Sequence, residues 1–218
     1  MIPTALVFDC DGVILDSARL KREAFAALYD DHPAAVRAAV AAYLGRRGGQ
    51  PREVKFRHIE GQILGRTPSQ ARVDALCEQF RLRMQALMDS APMIAGAMQA
   101  LTQWRGRCPL VLLSATPQRE LEDVVVRRGL AAQFDEVIGA PPDKVTALAG
   151  LLLRRGWSAS TTVMVGDSYN DYRAARSNAT AFIGVGQHSE PSPFPQDTPL
   201  ITDLRGLDQA LGRLALGS

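Results

Sequence analysis

Residues 5–12 of the chain read ALVFDCDG. The four apolar residues of this stretch favour a short buried strand, and Gly12 ends that strand in a loop. Further short apolar segments follow, separated by stretches with helical spacing; they lie at residues 110–113, 136–138, 161–165 and 181–185. Because strands that alternate with helices form parallel sheets covered on both faces, the sequence predicts an α/β fold.

The region between the first two of these strands has a different character. Residues 17–90 are rich in Ala, Leu, Arg, Glu and Gln. Apolar residues recur in it at helical spacing, for example at Leu76, Phe80 and Met84, which is typical of helices with one buried face. We expect about four helices in this region and no strand.

The domain organisation follows from the distance between the strands along the chain. The strand at residue 5 has no neighbouring strand before about residue 110, so the helical region is an insertion into the α/β domain. We therefore predict a core domain of residues 1–16 and 92–218 and an all-helical domain at residues 17–91. Residues 187–199, which are rich in Pro and Ser, are expected to form a surface loop.

Composition and the first residues indicate which partners and which cellular location to expect. The chain has 218 residues, 46% of them hydrophobic, and a net charge of +2. This charge is too small to predict nucleic-acid binding, and no apolar run is long enough to predict a membrane-spanning helix. The first residues lack a basic segment and soon reach Asp9, which argues against a signal peptide and predicts a cytoplasmic protein. The three cysteines match no zinc pattern and are expected to be reduced. We expect a monomer or a weak homodimer.

Polar side chains follow several of the predicted strands at the point where each strand ends. Asp9 and Asp11 follow the first strand, Ser114 follows the second, and Asp167 follows the fourth. Lys144 opens the helix after the third strand. Because ligands of open α/β sheets bind outside the carboxyl ends of the strands, we expect these groups to share one rim of the sheet.

The chemistry of this rim suggests a metal ion and a phosphate. Asp9 and Asp11 point the same way in an extended backbone and repel each other unless a cation lies between them. With Asp167 they form an oxygen-rich set that suits Mg²⁺. Ser114, the backbone N–H groups from Ala115 onwards and a lysine can hold a phosphate. Asp9 is placed to attack phosphorus as a carboxylate, and Asp11 to act as acid and base.

Four motifs in this order resemble those of the haloacid dehalogenase (HAD) superfamily, in its phosphatase branch. They are VFDCDGVILDS at residues 7–17, LLSAT at 112–116, Lys144, and VGDSYND at 165–171. The resemblance implies a Rossmann-like core with a helical cap inserted after the first motif. That layout agrees with the organisation inferred above from the strand pattern.

The resemblance also implies a role for each motif residue. Asp9 is the expected nucleophile and a Mg²⁺ ligand, and Asp11 is the expected acid and base, with its backbone carbonyl on the metal. Lys144 holds the phosphoryl group together with the motif serine and positions the nucleophile. Asp167 binds Mg²⁺ directly or through water, and Asp171 supports it.

Substrate choice is expected to depend on the cap, because the rim chemistry is shared by many substrates. Its most site-like stretch is GRRGGQPR at residues 45–52, followed by KFRH at 55–58. Arginine in a glycine-rich loop can approach a phosphate or a carboxylate closely. The candidate substrate-binding residues of the cap are Arg46, Arg47, Arg52 and Lys55.

The sequence thus predicts a Mg²⁺-dependent phosphatase that hydrolyses a small phosphorylated metabolite through an aspartyl-phosphate. A sugar phosphate, phosphoglycolate and a nucleotide monophosphate all remain open as substrates. A phosphomutase of the β-phosphoglucomutase type is an alternative; such mutases usually carry a histidine where this chain has Lys21, which weakens that interpretation. A non-catalytic binding protein of the same fold is the second alternative, although no motif residue is missing. Asp11 disfavours dehalogenase chemistry, because the dehalogenases of the superfamily lack this aspartate.

Overall fold

The computed structural model describes residues 3–46, 50–186 and 192–214. Six parallel strands form one sheet in the order β3-β2-β1-β4-β5-β6. The strands are β1 Ala5–Phe8, β2 Leu110–Pro117, β3 Glu136–Ala140, β4 Thr162–Gly166, β5 Ala181–Val185 and β6 Leu200–Ile201. This strand order is that of the doubly wound Rossmann-like sheet, so the predicted α/β class is confirmed.

The first strand lies at the centre of the sheet. Leu6 pairs with Leu110 of β2 on one side and with Val163 of β4 on the other. All four residues of β1 are fully buried, as expected for a parallel strand whose two faces are both covered. Successive side chains alternate between the two faces, because Leu6 and Phe8 belong to one apolar cluster and Val7 to another.

Nine α-helices lie within the described parts of the chain. They are α1 Ala18–Ala26, α2 Ala34–Arg46, α3 Arg52–His58, α4 Gln70–Ser90, α5 Ala97–Trp104, α6 Gln118–Arg127, α7 Lys144–Arg155, α8 Tyr169–Ser177 and α9 Leu207–Leu214. Helices α7 and α8 cover one face of the sheet with the cluster that contains Val7. Helices α5 and α9 contribute to the cluster on the other face.

Helices α1 to α4 follow β1 directly, and together we call them the helical insertion. Its own apolar side chains meet in an aromatic group: the rings of Phe25 and Phe80 stack with centroids 4.0 Å apart, and Phe56 lies 4.9 Å from Phe25. These residues belong to the same continuous apolar cluster as Phe8 of the sheet. The insertion therefore shares a continuous apolar core with the sheet.

The structure extends one predicted strand and adds two elements that the sequence did not predict. Strand β2 runs to Pro117 rather than ending at Leu113, with a shift of pairing register between these residues. Strand β6 and helix α9 follow the predicted surface loop. Residues 187–191 of that loop lie outside the described residues, and 192–199 contain no helix or strand. Within the described chain, no helix is both long and apolar enough to span a membrane.

Candidate active site

Three carboxylates meet where β1 and β4 end side by side. Phe8 pairs with Val165 across the two strands, so the residues that follow them emerge at the same edge. Carboxylate oxygens of Asp9, Asp167 and Asp171 all lie within 4.8 Å of one another. The structure thus brings together three of the four residues predicted as metal ligands.

Two glycines make this close approach possible. A Cβ atom on Gly12 would lie 2.2 Å from Asp167 Oδ2, and Gly12 has a φ of +82°. A Cβ atom on Gly166 would lie 2.2 Å from the Cβ of Asp171. Both glycines belong to the sequence motifs, but the sequence indicated no more than a turn at either position. Their function is to let two carboxylates lie against the backbone.

Lys144 lies between two of these carboxylates and is buried. Its Nζ is 2.7 Å from Asp9 Oδ1 and 2.5 Å from Asp171 Oδ1. The lysine is the first residue of α7, where the Asp143 side chain accepts a hydrogen bond from the backbone N–H of Thr146 and caps the helix. The helix start therefore fixes the lysine beside the nucleophile candidate.

Asp171 is oriented by the start of α8. The backbone N–H and the hydroxyl of Ser168 both donate to Asp171 Oδ2, at 3.1 and 2.5 Å. With Oδ1 bonded to Lys144, both oxygens of this carboxylate have protein partners. This arrangement fits a supporting role for Asp171, one step removed from a metal ion, better than that of a direct ligand.

Burial and mutual repulsion dominate the electrostatics of the cluster. Burial, and then the charge of Asp171, raise the pKa of Asp9 to about 7. Burial, followed by the charge of Asp9, raises the pKa of Asp167 well above its ordinary value. Burial disfavours the ammonium of Lys144, but the carboxylates of Asp171 and Asp9 outweigh it and raise the pKa of this lysine. One lysine faces three carboxyl groups, so full ionisation of the cluster would leave a net negative charge.

The donor set therefore fits a hard divalent cation. It offers carboxylate oxygens, which Mg²⁺ prefers. Burial and then the neighbouring carboxylates raise the pKa of both Asp9 and Asp167, so additional positive charge would stabilise their ionised forms. A divalent ion between them would supply that charge and favour their ionised forms.

The Asp11 side chain points away from this cluster. Its Oδ2 is ion-paired with Nζ of Lys21, and its Oδ1 accepts a hydrogen bond from the Ser17 hydroxyl at 2.5 Å. Burial raises the pKa of Asp11, but the charge and hydrogen bond of Lys21 outweigh it and lower the pKa. Among the four predicted metal ligands, Asp11 is the one whose carboxylate is not brought into the cluster.

The end of β2 supplies the third side of the rim. Ser114 is buried, and its hydroxyl accepts a hydrogen bond from the backbone N–H of Thr116 at 3.1 Å. Thr116 in turn accepts a hydrogen bond from Lys21 at 2.8 Å. Ala115 and Thr116 line the cleft described below, whereas Ser114 is not among its lining residues. Sequence reasoning assigned no role to Thr116.

A cleft opens above the rim, and the helical insertion closes one side of it. The rim lines the cleft with Asp9, Asp11, Lys144 and Asp167. The insertion lines it with several side chains, which include Lys21, Phe25, Lys55 and Phe80.

The four candidate residues of the insertion have different surroundings. Lys55 is buried and lines the cleft. Arg52 also lines it, but its guanidinium binds both carboxylate oxygens of Glu120 on α6, at 3.1 and 2.5 Å. Arg46 is exposed at the end of α2 and lines a neighbouring groove rather than this cleft. Arg47 lies outside the described residues.

Lys21 is the residue of the site whose contacts sequence reasoning did not predict. The sequence marked it only as the replacement for a histidine, and the structure connects it to both Asp11 and Thr116. Its position one helical turn after Ser17, on the helix that directly follows the first motif, indicates that Lys21 lies near the site. That signal does not show which way the side chain turns.

Fold and site together define an α/β protein with an acidic rim at the carboxyl ends of a Rossmann-like sheet. A family model for haloacid dehalogenase-like hydrolases matches residues 3–178. The chain belongs to this family, and the prediction made from its motifs is confirmed.

Relatives and solved structures agree with this assignment. The chain is 29% identical to "Probable phosphatase IndB" of Dickeya dadantii over 91% of its own length and 88% of the relative's. It is 27% identical to "Phosphoglycolate phosphatase" of Vibrio parahaemolyticus, over 85% of its own length and 86% of that relative's. Both relatives are named as phosphatases, in agreement with the predicted branch of the family.

The similar solved structures support the fold. A β-phosphoglucomutase from Clostridium difficile aligns with a TM-score of 0.75 at 16% identity, over 99% of this chain and all of that one. A predicted phosphoglycolate phosphatase from Haemophilus somnus aligns with a TM-score of 0.75 at 15% identity, over 96% and 98%. At these identities the likeness concerns the fold alone.

Proposed function

We propose that the protein is a Mg²⁺-dependent phosphatase that hydrolyses a small phosphorylated metabolite through an aspartyl-phosphate. The observation that carries this proposal is the cluster of Asp9, Asp167 and Asp171 around Lys144, at the floor of a cleft that the helical insertion partly covers. The family assignment and the phosphatase names of two relatives support it. The name of one relative makes phosphoglycolate the first substrate to test.

The first chemical step belongs to Asp9. One carboxylate oxygen of Asp9 attacks phosphorus, and the bond from phosphorus to the ester oxygen of the substrate breaks. Asp9 Oδ1 is held by Lys144 and by the Cys10 backbone N–H at 2.7 Å, so Oδ2 is the oxygen free to attack. Mg²⁺, bound by Asp9 and Asp167, would offset negative charge on the phosphoryl oxygens.

Asp11 provides proton transfer in both halves of the reaction. It protonates the leaving alcohol, and it later removes a proton from the water that attacks the aspartyl-phosphate and regenerates Asp9. The ion pair with Lys21 favours the ionised form of Asp11, which is the form required to activate water. Protonation of the leaving group requires Lys21 to move away from Asp11 once substrate is bound.

The helical insertion acts in this proposal as a cap, with the domain boundaries predicted from the sequence. It covers the cleft that contains the acidic rim, and it places apolar side chains such as Phe25 and Phe80 there. A cover of this kind excludes water from a reactive acyl phosphate. A cytoplasmic location and a monomeric or weakly dimeric state belong to the same proposal and rest on the sequence.

Phosphate release from a panel of metabolites, with and without Mg²⁺, tests the proposed function. We expect phosphate from phosphoglycolate or another small ester, with turnover abolished by EDTA and restored by Mg²⁺. The products of sugar phosphates are analysed as well. Isomerised sugar phosphate without free phosphate would instead identify a mutase. A folded sample with no Mg²⁺-dependent turnover of any ester, p-nitrophenyl phosphate included, would contradict the proposal.

A further inference from the structure

The cleft contains a buried lysine that forms no ion pair within the described parts of the chain. Lys55 of α3 is only 9% exposed and lines the cleft. Its Nζ lies 4.9 Å from the centre of the Phe25 ring. It has no hydrogen bond and no carboxylate partner among the residues that the structure describes. A buried ammonium in this state is costly, because burial removes its hydration without replacing it.

The other cations around the cleft do not share this condition. Lys21 is paired with Asp11, Arg52 with Glu120, and Lys144 with Asp9 and Asp171. Arg22 has no carboxylate partner in the described chain, but it is exposed and hydrated. Lys55 is therefore the cation among these five that is both buried and without a counter-charge.

Lys55 lines the cleft from α3 of the helical insertion, whereas the residues that would hold the reacting phosphoryl group follow the strands of the sheet. That group must contact Asp9 at the end of β1, where Lys144 already binds the carboxylate. Lys55 projects from the helical insertion, beside the aromatic side chains of Phe25 and Phe80. Burial, and then the charge of Lys21, lower its pKa to about 8. The ammonium form therefore still predominates at neutral pH, and a bound anion would stabilise it further.

We infer that Lys55 binds a second anionic group of the substrate, so that the enzyme prefers phosphate monoesters which carry a carboxylate or a second phosphate. This inference rests on the proposed function and narrows its substrate class. A charge-assisted hydrogen bond in a buried site is strong enough to discriminate about 10- to 100-fold against an ester without the second anion.

Binding of non-hydrolysable phosphonates tests the inference without any need for turnover. The probes are phosphonoacetate, which adds a carboxylate, ethylenediphosphonate, which adds a second phosphonate, and ethylphosphonate, which adds neither. Calorimetry with excess MgCl₂ should show at least one of the first two binding at least tenfold more tightly than ethylphosphonate. The one that does so identifies the second anion as a carboxylate or a phosphate.

Two variants distinguish a direct contribution of Lys55 from the general effect of removing a positive charge. Lys55→Met keeps the length of the side chain and removes the charge, and the preference for the second anion should fall at least tenfold. Arg57→Met is the matched control, because Arg57 lies on the same helix, is exposed and bonds Gln70 instead of facing the cleft. It should keep the preference. Lys55→Gln replaces Lys55→Met if circular dichroism shows that the latter is misfolded.

The outcomes distinguish this inference from the proposed function. If the wild type binds all three phosphonates equally, or if Lys55→Met weakens all three by the same factor, the second-anion site is wrong. Turnover of p-nitrophenyl phosphate by the wild type reports separately on phosphatase activity. If the protein turns over p-nitrophenyl phosphate but shows no preference for a second anion, the proposed function stands and this inference is wrong. If it shows that preference but has no turnover, the binding site for a second anion stands and the proposed phosphatase activity is wrong.

Discussion

The two walls of the cleft differ in how their charges are balanced. On the strand-end wall, Lys144 is bonded to both Asp9 and Asp171, and the acidic groups there exceed the cations. On the helical wall, Lys55 is buried without a carboxylate partner among the described residues. One wall lacks positive charge and the other lacks negative charge. A substrate with a metal-bound phosphoryl group at one end and an anion at the other would satisfy both.

The largest effect is expected from changing the attacking group on the strand-end wall. Asp9→Asn keeps the shape of the side chain and removes the nucleophilic carboxylate, so turnover should fall by about 10⁴-fold or more. Stability should not fall, because a buried carboxylate whose pKa is already raised loses its unfavourable charge. Phosphate release and urea unfolding measure the two quantities.

The control for this change is Asp30→Asn, an equal substitution at an exposed position outside the cleft. It should leave kcat and KM unchanged. Turnover of Asp9→Asn within tenfold of the wild type would remove Asp9 from the mechanism. The contrast between the walls would then concern binding alone.

A second way to break the strand-end wall is to push its carboxylates apart. Gly12→Ala places a Cβ 2.2 Å from Asp167 Oδ2 and demands a φ of +82° from a residue that avoids it. The backbone strain alone costs about 1–2 kcal/mol, and the clash adds to it by displacing Asp167. We expect a lower free energy of unfolding and a loss of Mg²⁺-dependent activity together.

Gly129→Ala isolates the two contributions. Gly129 also has a positive φ, +66°, but a Cβ atom there meets nothing within 4 Å. This variant should lose about 1–2 kcal/mol of stability and keep its activity. Equal activity losses in the two variants would show that the contact between Gly12 and Asp167 does not matter for the site.

Much of the strand-end wall could be predicted from the sequence. A charged residue that directly follows a parallel strand must lie at the carboxyl edge of the sheet, so its place in the fold is known once the strand is recognised. β1 occupies the four apolar residues predicted for it, and Lys144 opens a helix as predicted. The helical wall could not be predicted in the same way. Arg52 and Lys55 are equally cationic in sequence, yet Arg52 is bonded to Glu120, 68 residues away, while Lys55 has no such partner. Which cation stays unpaired depends on packing between distant helices.

The charge deficit of the strand-end wall predicts how Mg²⁺ binding should depend on pH. Without a cation, the folded pKa of Asp9 is raised to about 7, above its unfolded value near 3.8. The folded chain then binds more protons than the unfolded chain between these values, so metal-free stability should fall as pH rises from about 4 to about 7. Mg²⁺ needs the ionised carboxylates and should reverse this fall.

Thermal unfolding with and without MgCl₂ at pH 8.0 and pH 5.5 measures the effect. At about 100 times its Kd, Mg²⁺ should add about 2–3 kcal/mol at pH 8.0 and clearly less at pH 5.5. Asp167→Asn should lose most of the Mg²⁺ effect and be more stable than the wild type in EDTA at pH 8.0. A Mg²⁺ effect that is equal at both pH values would contradict the charge balance described here.

The smallest effect is expected from the ion pair that connects the helical insertion to the sheet domain. Arg52 of α3 and Glu120 of α6 form two hydrogen bonds, and their side chains are 11% and 27% exposed. A double-mutant cycle with Arg52→Met and Glu120→Gln should give a coupling free energy of about 0.5–1 kcal/mol by urea unfolding. Arg81 and Glu78, an exposed pair within α4, provide the comparison and should couple more weakly.

The same cycle shows whether this pair affects the cleft. If Arg52 affects the cleft only through its ion pair with Glu120, each single variant should raise KM by a similar factor for the ester that is hydrolysed best in the panel. The double variant should then raise KM little further. If Arg52 instead contacts the substrate directly, Arg52→Met should raise KM far more than Glu120→Gln does. The second result would place two cations of the helical wall on the substrate and make Lys55 one of a pair.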